Sequence, residues 1–288
     1  MTSWRRWQDN AATRRVHRWP AIWKKMTILY SVYAPEGIVF SADTMLTRTK
    51  KSRTEYVEAS RPKVFRIPKA GEHSRGALVG YYGLAEIGGR PMPEFLDEFR
   101  GAWAGDRSIR RLADRLIEEL VKADKAHHLR HHVFGLHVGG FELFKDRICP
   151  AFYYVRNAEA DEGTGLYHLF PDRQLHIDEQ LMGRTLMQWD AHEARRALLH
   201  WQRQNGIPLW FRNGDLATMA GPTASIELAA RYLAARPMYR WPRSLSKWEA
   251  LIEVMVDTTA ELVRSMYTRG TPTIGGHAVS EALAWPGV

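Results

Sequence analysis

Thr27, Asp43 and Lys63 are the residues of this chain whose types and placement suit bond-breaking chemistry. A hydroxyl nucleophile, an acid and a lysine are the parts of a site in which a free α-amine activates the hydroxyl of its own residue. Thr27 opens the apolar run Ile28-Leu29-Tyr30-Ser31-Val32, and Asp43 closes the run Gly37-Ile38-Val39-Phe40-Ser41-Ala42. An acid buried at the end of an apolar strand is costly unless a cation pairs with it. The nearest suitable cation downstream is Lys63, at the head of Val64-Phe65-Arg66-Ile67. The chemistry also demands that Thr27 be the first residue. With residues 1–26 attached, its nitrogen is an amide and cannot act as a base.

These residues need strands to hold them. The pattern predicts two strands joined by the turn Ala34-Pro35-Glu36-Gly37, then a polar loop or weak strand over Thr44 to Arg61. Further strands are expected at 63–67, 76–82, 132–141, 151–155 and 166–170, with a closing strand over 273–283. A helix is expected to start near Gly83-Leu84-Ala85-Glu86, break at Gly88-Gly89, and resume over 94–103. The clearest helix is 108–126, with Ser108 as N-cap and Ile109, Leu112, Leu116, Leu120 and Val121 on one face. Residues 190–204, 224–235 and 244–267 also read as helical. Strands in runs followed by helices in runs favour antiparallel sheets covered by helices over a βαβ wind. No GxGxxG or GxxxxGK[ST] loop is present, which argues against the common nucleotide-binding classes.

Composition is that of an ordinary globular protein, with 45% hydrophobic and 25% charged residues. No apolar run is long enough for a membrane helix. The lone cysteine, Cys149, has no internal disulfide partner, which fits a reducing, cytoplasmic setting. The net charge of +9 is unevenly placed: residues 1–26 hold Arg5, Arg6, Arg14, Arg15, Arg18, Lys24 and Lys25 against Asp9 alone. The remainder is close to neutral, so nucleic acid is not an expected partner of the main body. We therefore divide the chain into a basic, Trp- and Arg-rich leader (1–26) and a single domain (27–288). The leader reads as a propeptide that exposes Thr27, as a targeting or nucleic-acid arm, or as an upstream extension ahead of a true start at Met26.

In its first hundred residues the chain resembles the proteasome-type N-terminal nucleophile hydrolases, most of all the bacterial relatives HslV and Anbu. In those families a threonine begins the mature chain and an aspartate follows sixteen residues later, the separation of Thr27 and Asp43. Thr47 in Asp43-Thr44-Met45-Leu46-Thr47 matches the family threonine that contacts substrate backbone. Lys63 matches the lysine ahead of a hydrophobic strand, after a slightly longer loop. Gly80-Tyr81-Tyr82-Gly83-Leu84-Ala85 matches the glycine-containing strand end, with Gly83 as the oxyanion donor. Beyond residue 100 the match weakens. The family's loop whose serine supports the nucleophile has its best local counterpart in Ala220-Gly221-Pro222-Thr223-Ala224-Ser225, a loop leading into a small-residue helix, where Thr223 or Ser225 would substitute. A second acid, near the end of the penultimate helix, corresponds to Asp257.

The resemblance implies an α+β, four-layer αββα sandwich with two antiparallel sheets between helical layers. It implies a threonine peptidase acting on peptide or unfolded protein, assembled as a homo-oligomer, with an ATPase unfoldase as a possible partner and no metal or organic cofactor. The alternatives are a non-catalytic proteasome-like subunit and, as a third option, a basic adaptor that binds nucleic acid through residues 1–25. Two other features have plainer readings. His127, His128, His131 and His132 have i,i+4 spacing but no completing ligands, so a solvated helix end is expected rather than zinc. Arg236-Pro237-Met238-Tyr239-Arg240-Trp241-Pro242-Arg243 reads as a loop between helices, and Trp201, Trp210 and Trp241 as packing or interface residues.

Overall fold

The computed structural model describes residues 27–50, 53–58, 61–68, 76–103, 108–125, 134–144, 147–157, 167–169, 206, 208–214, 216–266 and 274–285. The leader, the four clustered histidines, Trp201 and the helix expected over 190–204 lie outside these residues. In chain order the elements begin with strands β1 (Ile28–Ala34), β2 (Gly37–Asp43), β3 (Leu46–Lys50), β4 (Arg53–Glu58), β5 (Val64–Ile67), β6 (Ala77–Tyr82), β7 (Glu86–Ile87) and β8 (Arg90–Pro91). Helices α1 (Met92–Ala102) and α2 (Ile109–Ala123) follow, then β9 (Gly135–Phe144), β10 (Arg147–Asn157), β11 (Tyr167–Leu169) and β12 (Leu209–Gly214). Helices α3 (Leu216–Ala234) and α4 (Leu245–Met266) precede the last strand, β13 (Ala278–Ala284).

Two antiparallel sheets organise the fold, which is α+β. One has the order β12-β1-β2-β13 and the other β11-β10-β9-β6-β5. The alternation of β1 decides what each face meets. Ile28, Tyr30, Val32 and Ala34 join a cluster with Trp248, Ile252, Met255 and Val256 of α4. Leu29 and Tyr33 point the other way and share a cluster with Leu78 and Tyr82 of β6, Phe141 of β9, and Phe152 and Tyr154 of β10. The opposite face of the second sheet, through Phe65, Val79, Tyr81, Leu136 and Val138, packs against α1 and α2. No helix among the described residues is long and apolar enough to cross a membrane.

Local chemistry explains most of the boundaries. Ser108 caps α2, accepting from the Arg111 N–H, and Ile109, Leu112, Leu116 and Leu120 are buried as expected. Val121 is 49% exposed, because it lies a further 100° around the helix from Leu120. The helix expected at Leu84 is instead a short β7–β8 pairing: Gly88 and Gly89, both at positive φ, turn the chain before α1 starts with Pro93 in its first turn. Thr44 to Arg61 contains a true hairpin, β3 with β4. The stretch Gly221-Pro222-Thr223 is not a loop. It lies within α3, where Pro222 forgoes one backbone hydrogen bond but the helix continues. Residues 236–243 lie between α3 and α4, and Trp241 of this connection packs ring against ring with Trp210 and Trp248.

Candidate functional site

The site grows from the register of the first hairpin. Leu29 faces Ala42 across β1 and β2, so one step further Ile28 comes opposite Asp43. There the side chain takes over from the backbone ladder: Asp43 Oδ1 accepts from the Ile28 N–H at 2.9 Å. Oδ2 accepts from the Gly275 N–H at 3.2 Å, in the segment that leads into β13. That segment is held by Thr44, whose N–H and hydroxyl both donate to the His277 carbonyl while its oxygen accepts from the His277 N–H.

Lys63 supplies the cation. Its carbonyl accepts from the Tyr81 N–H at 3.0 Å, which anchors the residue to β6 just before β5 begins. Its Nζ donates to Asp43 Oδ1 at 3.0 Å and to Thr27 Oγ1 at 3.0 Å. The three side chains are thus in direct contact, and they are nearly sealed: Asp43 and Lys63 are 1% exposed and Thr27 is 4% exposed. Burial pushes the Asp43 carboxyl above and the Lys63 ammonium below their ordinary values, and each partner pulls the other back toward its charged form. Two backbone N–H donors further favour the carboxylate. Because Lys63 donates to Thr27 Oγ1, the hydroxyl's own proton must point away from the ammonium.

The remaining expected residues are placed as follows. Gly83 comes directly after the last residue of β6 and has φ +91°, a conformation that glycine adopts without the steric cost a Cβ would bring. Thr47 lies in β3, its Cα opposite Tyr56. Asp257, on α4, does not touch the three contacting residues. Its Oδ1 accepts from the Ala278 N–H at 2.7 Å, and Ala278 is the cross-strand neighbour of Asp43. Thr223 is fully buried in α3, whereas Ser225 on the same helix is exposed.

A second polar group lies between the sheets and was not expected. Asn213 Nδ2 donates to His137 Nε2 at 2.6 Å, so the neutral imidazole carries its proton on Nδ1 and donates it to Ser31 Oγ at 2.7 Å. The Tyr154 hydroxyl donates to Asn213 Oδ1 at 2.9 Å, and the Tyr82 hydroxyl bonds in turn to Tyr154. His137 is fully buried, and desolvation lowers its pKa to about 3. A signal for part of this was available: Leu209-Trp210-Phe211 ahead of Asn213-Gly214 has the bulky composition of a strand.

A scan against protein-family models finds no match, and no curated protein matches the sequence. Among solved structures the chain is similar to the Anbu (Gly-1) mutant from Hyphomicrobium sp. strain MC1, at 11% identity and a TM-score of 0.41, over 90% of this chain and 88% of that one. An overlap this loose says nothing about chemistry, and the case for the site rests on its own geometry.

Proposed function

We propose that this chain is a threonine-nucleophile amide hydrolase of proteasome type, acting on peptides once Thr27 is N-terminal. The observation that carries this is the position of Lys63 Nζ, 3.0 Å from both Thr27 Oγ1 and Asp43 Oδ1 in a nearly closed setting. In that state the α-amine of Thr27, with an ordinary pKa of about 8, takes the hydroxyl proton. Oγ1 adds to the substrate carbonyl carbon, and the Gly83 N–H meets the oxyanion. The amine then returns the proton to the leaving nitrogen as the C–N bond breaks, and water hydrolyses the ester left on Thr27. The Lys63 charge favours both the neutral amine and the developing alkoxide. Thr47 holds substrate backbone in this reading, and Asp257 braces the strand beside Asp43.

The wider proposal is a four-layer αββα sandwich, supported by apolar clusters on both faces of each sheet. It also includes assembly with copies of itself and unfolded chains as substrate, delivered by an ATPase. A non-catalytic proteasome-like subunit is the competing reading, favoured by the 4% exposure of Thr27. N-terminal sequencing and intact mass of protein from its native host separate the two. A chain beginning at Thr27, with peptidase activity that Thr27→Ala abolishes, supports the hydrolase. A chain retaining residues 1–26, with no activity, supports the structural subunit.

A further inference from the structure

The polar path between the sheets begins on β1, the strand that Thr27 immediately precedes, and ends beside Gly83. Ser31 is on β1, four residues after Thr27, and Asn213 is on β12, opposite Leu29 of β1. His137 and Tyr154 stand on β9 and β10 of the other sheet, and Tyr82 is the final residue of β6. The order Ser31, His137, Asn213, Tyr154, Tyr82 therefore links the two strands whose spacing the proposed chemistry requires. Most of the surrounding contacts are apolar, and such contacts tolerate sliding. Hydrogen bonds weaken steeply once distance or angle departs from the optimum.

Tyr82 is also where the sheet stops controlling the backbone. Its Cα faces Gly135, and after it the chain turns away at Gly83 with positive φ. The N–H of Gly83 belongs to the peptide unit that begins at Tyr82, so the position of Tyr82 sets where that donor points. The ring of Tyr82 lies directly across Gly135, where an added Cβ would meet its atoms at 2.3 to 2.6 Å. Glycine at 135 leaves the room that this ring occupies. We propose that the path is a strut fixing the separation of Thr27 and Gly83, and that Tyr82 is a positioning residue for amide hydrolysis. This rests on the threonine-nucleophile reading.

Tyr82→Phe removes the hydroxyl and keeps the ring. The expected result is a fall in kcat of roughly tenfold on a peptide substrate, with KM within about twofold of wild type. The ¹⁵N order parameter of the Gly83 amide should fall below the range of rigid backbone, about 0.85. Ser31→Ala, at the far end, should move both readouts in the same direction. Leu78→Val, an apolar loss in the same intersheet cluster, should lower Tm and leave both unchanged. Equal effects in Tyr82→Phe and Leu78→Val, or an unaltered Gly83 order parameter in Tyr82→Phe, overturn the strut. If the wild-type chain with Thr27 exposed hydrolyses no amide, the nucleophile reading fails. The order parameter then still decides whether Tyr82 fixes Gly83.

Discussion

The backbone N–H of Ile28 donates to Asp43 Oδ1 at 2.9 Å, so the residue immediately after Thr27 is tied to the acid that also holds Lys63. One carboxylate oxygen thereby fixes both the start of β1 and the ammonium that reaches Thr27 Oγ1. Placement of the hydroxyl and placement of the ammonium beside it are the same structural event.

Breaking this pair from either side should be costly, because each change leaves a buried charge without its partner. Lys63→Met is expected to destabilise the protein by about 3–5 kcal/mol and to abolish hydrolysis. Asp43→Asn should destabilise it as well, since one amide cannot accept from both the Ile28 and Gly275 N–H groups and also hold Lys63. The double variant should cost less than the two singles combined, by about 1–3 kcal/mol, in urea denaturation. Strict additivity would mean that the pair is not coupled as its geometry indicates.

Thr27→Ala should leave the fold intact and reduce hydrolysis by at least about 10³-fold, because no other group supplies the attacking oxygen. Thr27→Ser, made in the same N-terminally exposed form, should retain measurable turnover. Activity surviving in the alanine variant would place the nucleophile elsewhere.

Gly83→Ala forces a Cβ onto a backbone at φ +91°. The strain should cost about 1–2 kcal/mol, and the shift of the donor N–H should lower kcat by about 10²-fold or more. Thermal unfolding and steady-state kinetics on the same sample separate these effects. A stability loss with unchanged kcat would remove Gly83 from the oxyanion role.

Burial lowers the His137 pKa from 6.5 to about 3, so this imidazole stays neutral in the folded chain at mild acidity. As pH falls below about 6.5 the unfolded chain takes up the proton first, which draws the equilibrium toward unfolding until about pH 3. The stability from this group is complete above that window and lost progressively within it. It amounts to a loss of about 2 kcal/mol between pH 7 and pH 5. In His137→Gln the difference in urea-denaturation free energy between those pH values should shrink accordingly. An unchanged difference would assign the acid sensitivity to other groups.

Glu142, buried on β9, accepts from the Arg110 N–H at 2.9 Å and so satisfies a donor in the first turn of α2. The Tyr153 hydroxyl donates to the same carboxylate. Glu142→Ala should therefore destabilise the protein by about 1–3 kcal/mol in chemical denaturation, through two donors left without this acceptor. Hydrolysis should be unaffected, since the cap is not part of the site.

The strands on either side of the turn at Pro35, the capped helix after Ser108, and the contact of Thr27, Asp43 and Lys63 were legible in the sequence. The strands and the helix depend on short-range rules, alternation of apolar residues and a capping serine. The third rests on the need of a buried acid for a cation, which names the partners although the contact itself spans the two sheets. Residues with the same propensities were misplaced where tertiary packing outweighed them. Pro222 was expected to lie in a loop and instead sits inside α3, while the glycines at 88 and 89 turned an expected helix start into a strand pair. The path from Ser31 through His137 and Asn213 to Tyr82 was invisible for a different reason. Its members come from five strands, more than a hundred residues apart in places, and none has a neighbour in sequence that signals its partner. Sequence alone singled out Thr27, Asp43 and Lys63 and the strand ends that present them. Only the pairing of β13 with β2 decided that Gly275 would meet Asp43 and that Asp257 of α4 would serve Ala278, and only the stacking of the two sheets desolvated His137, because those contacts exist only after distant segments have come together.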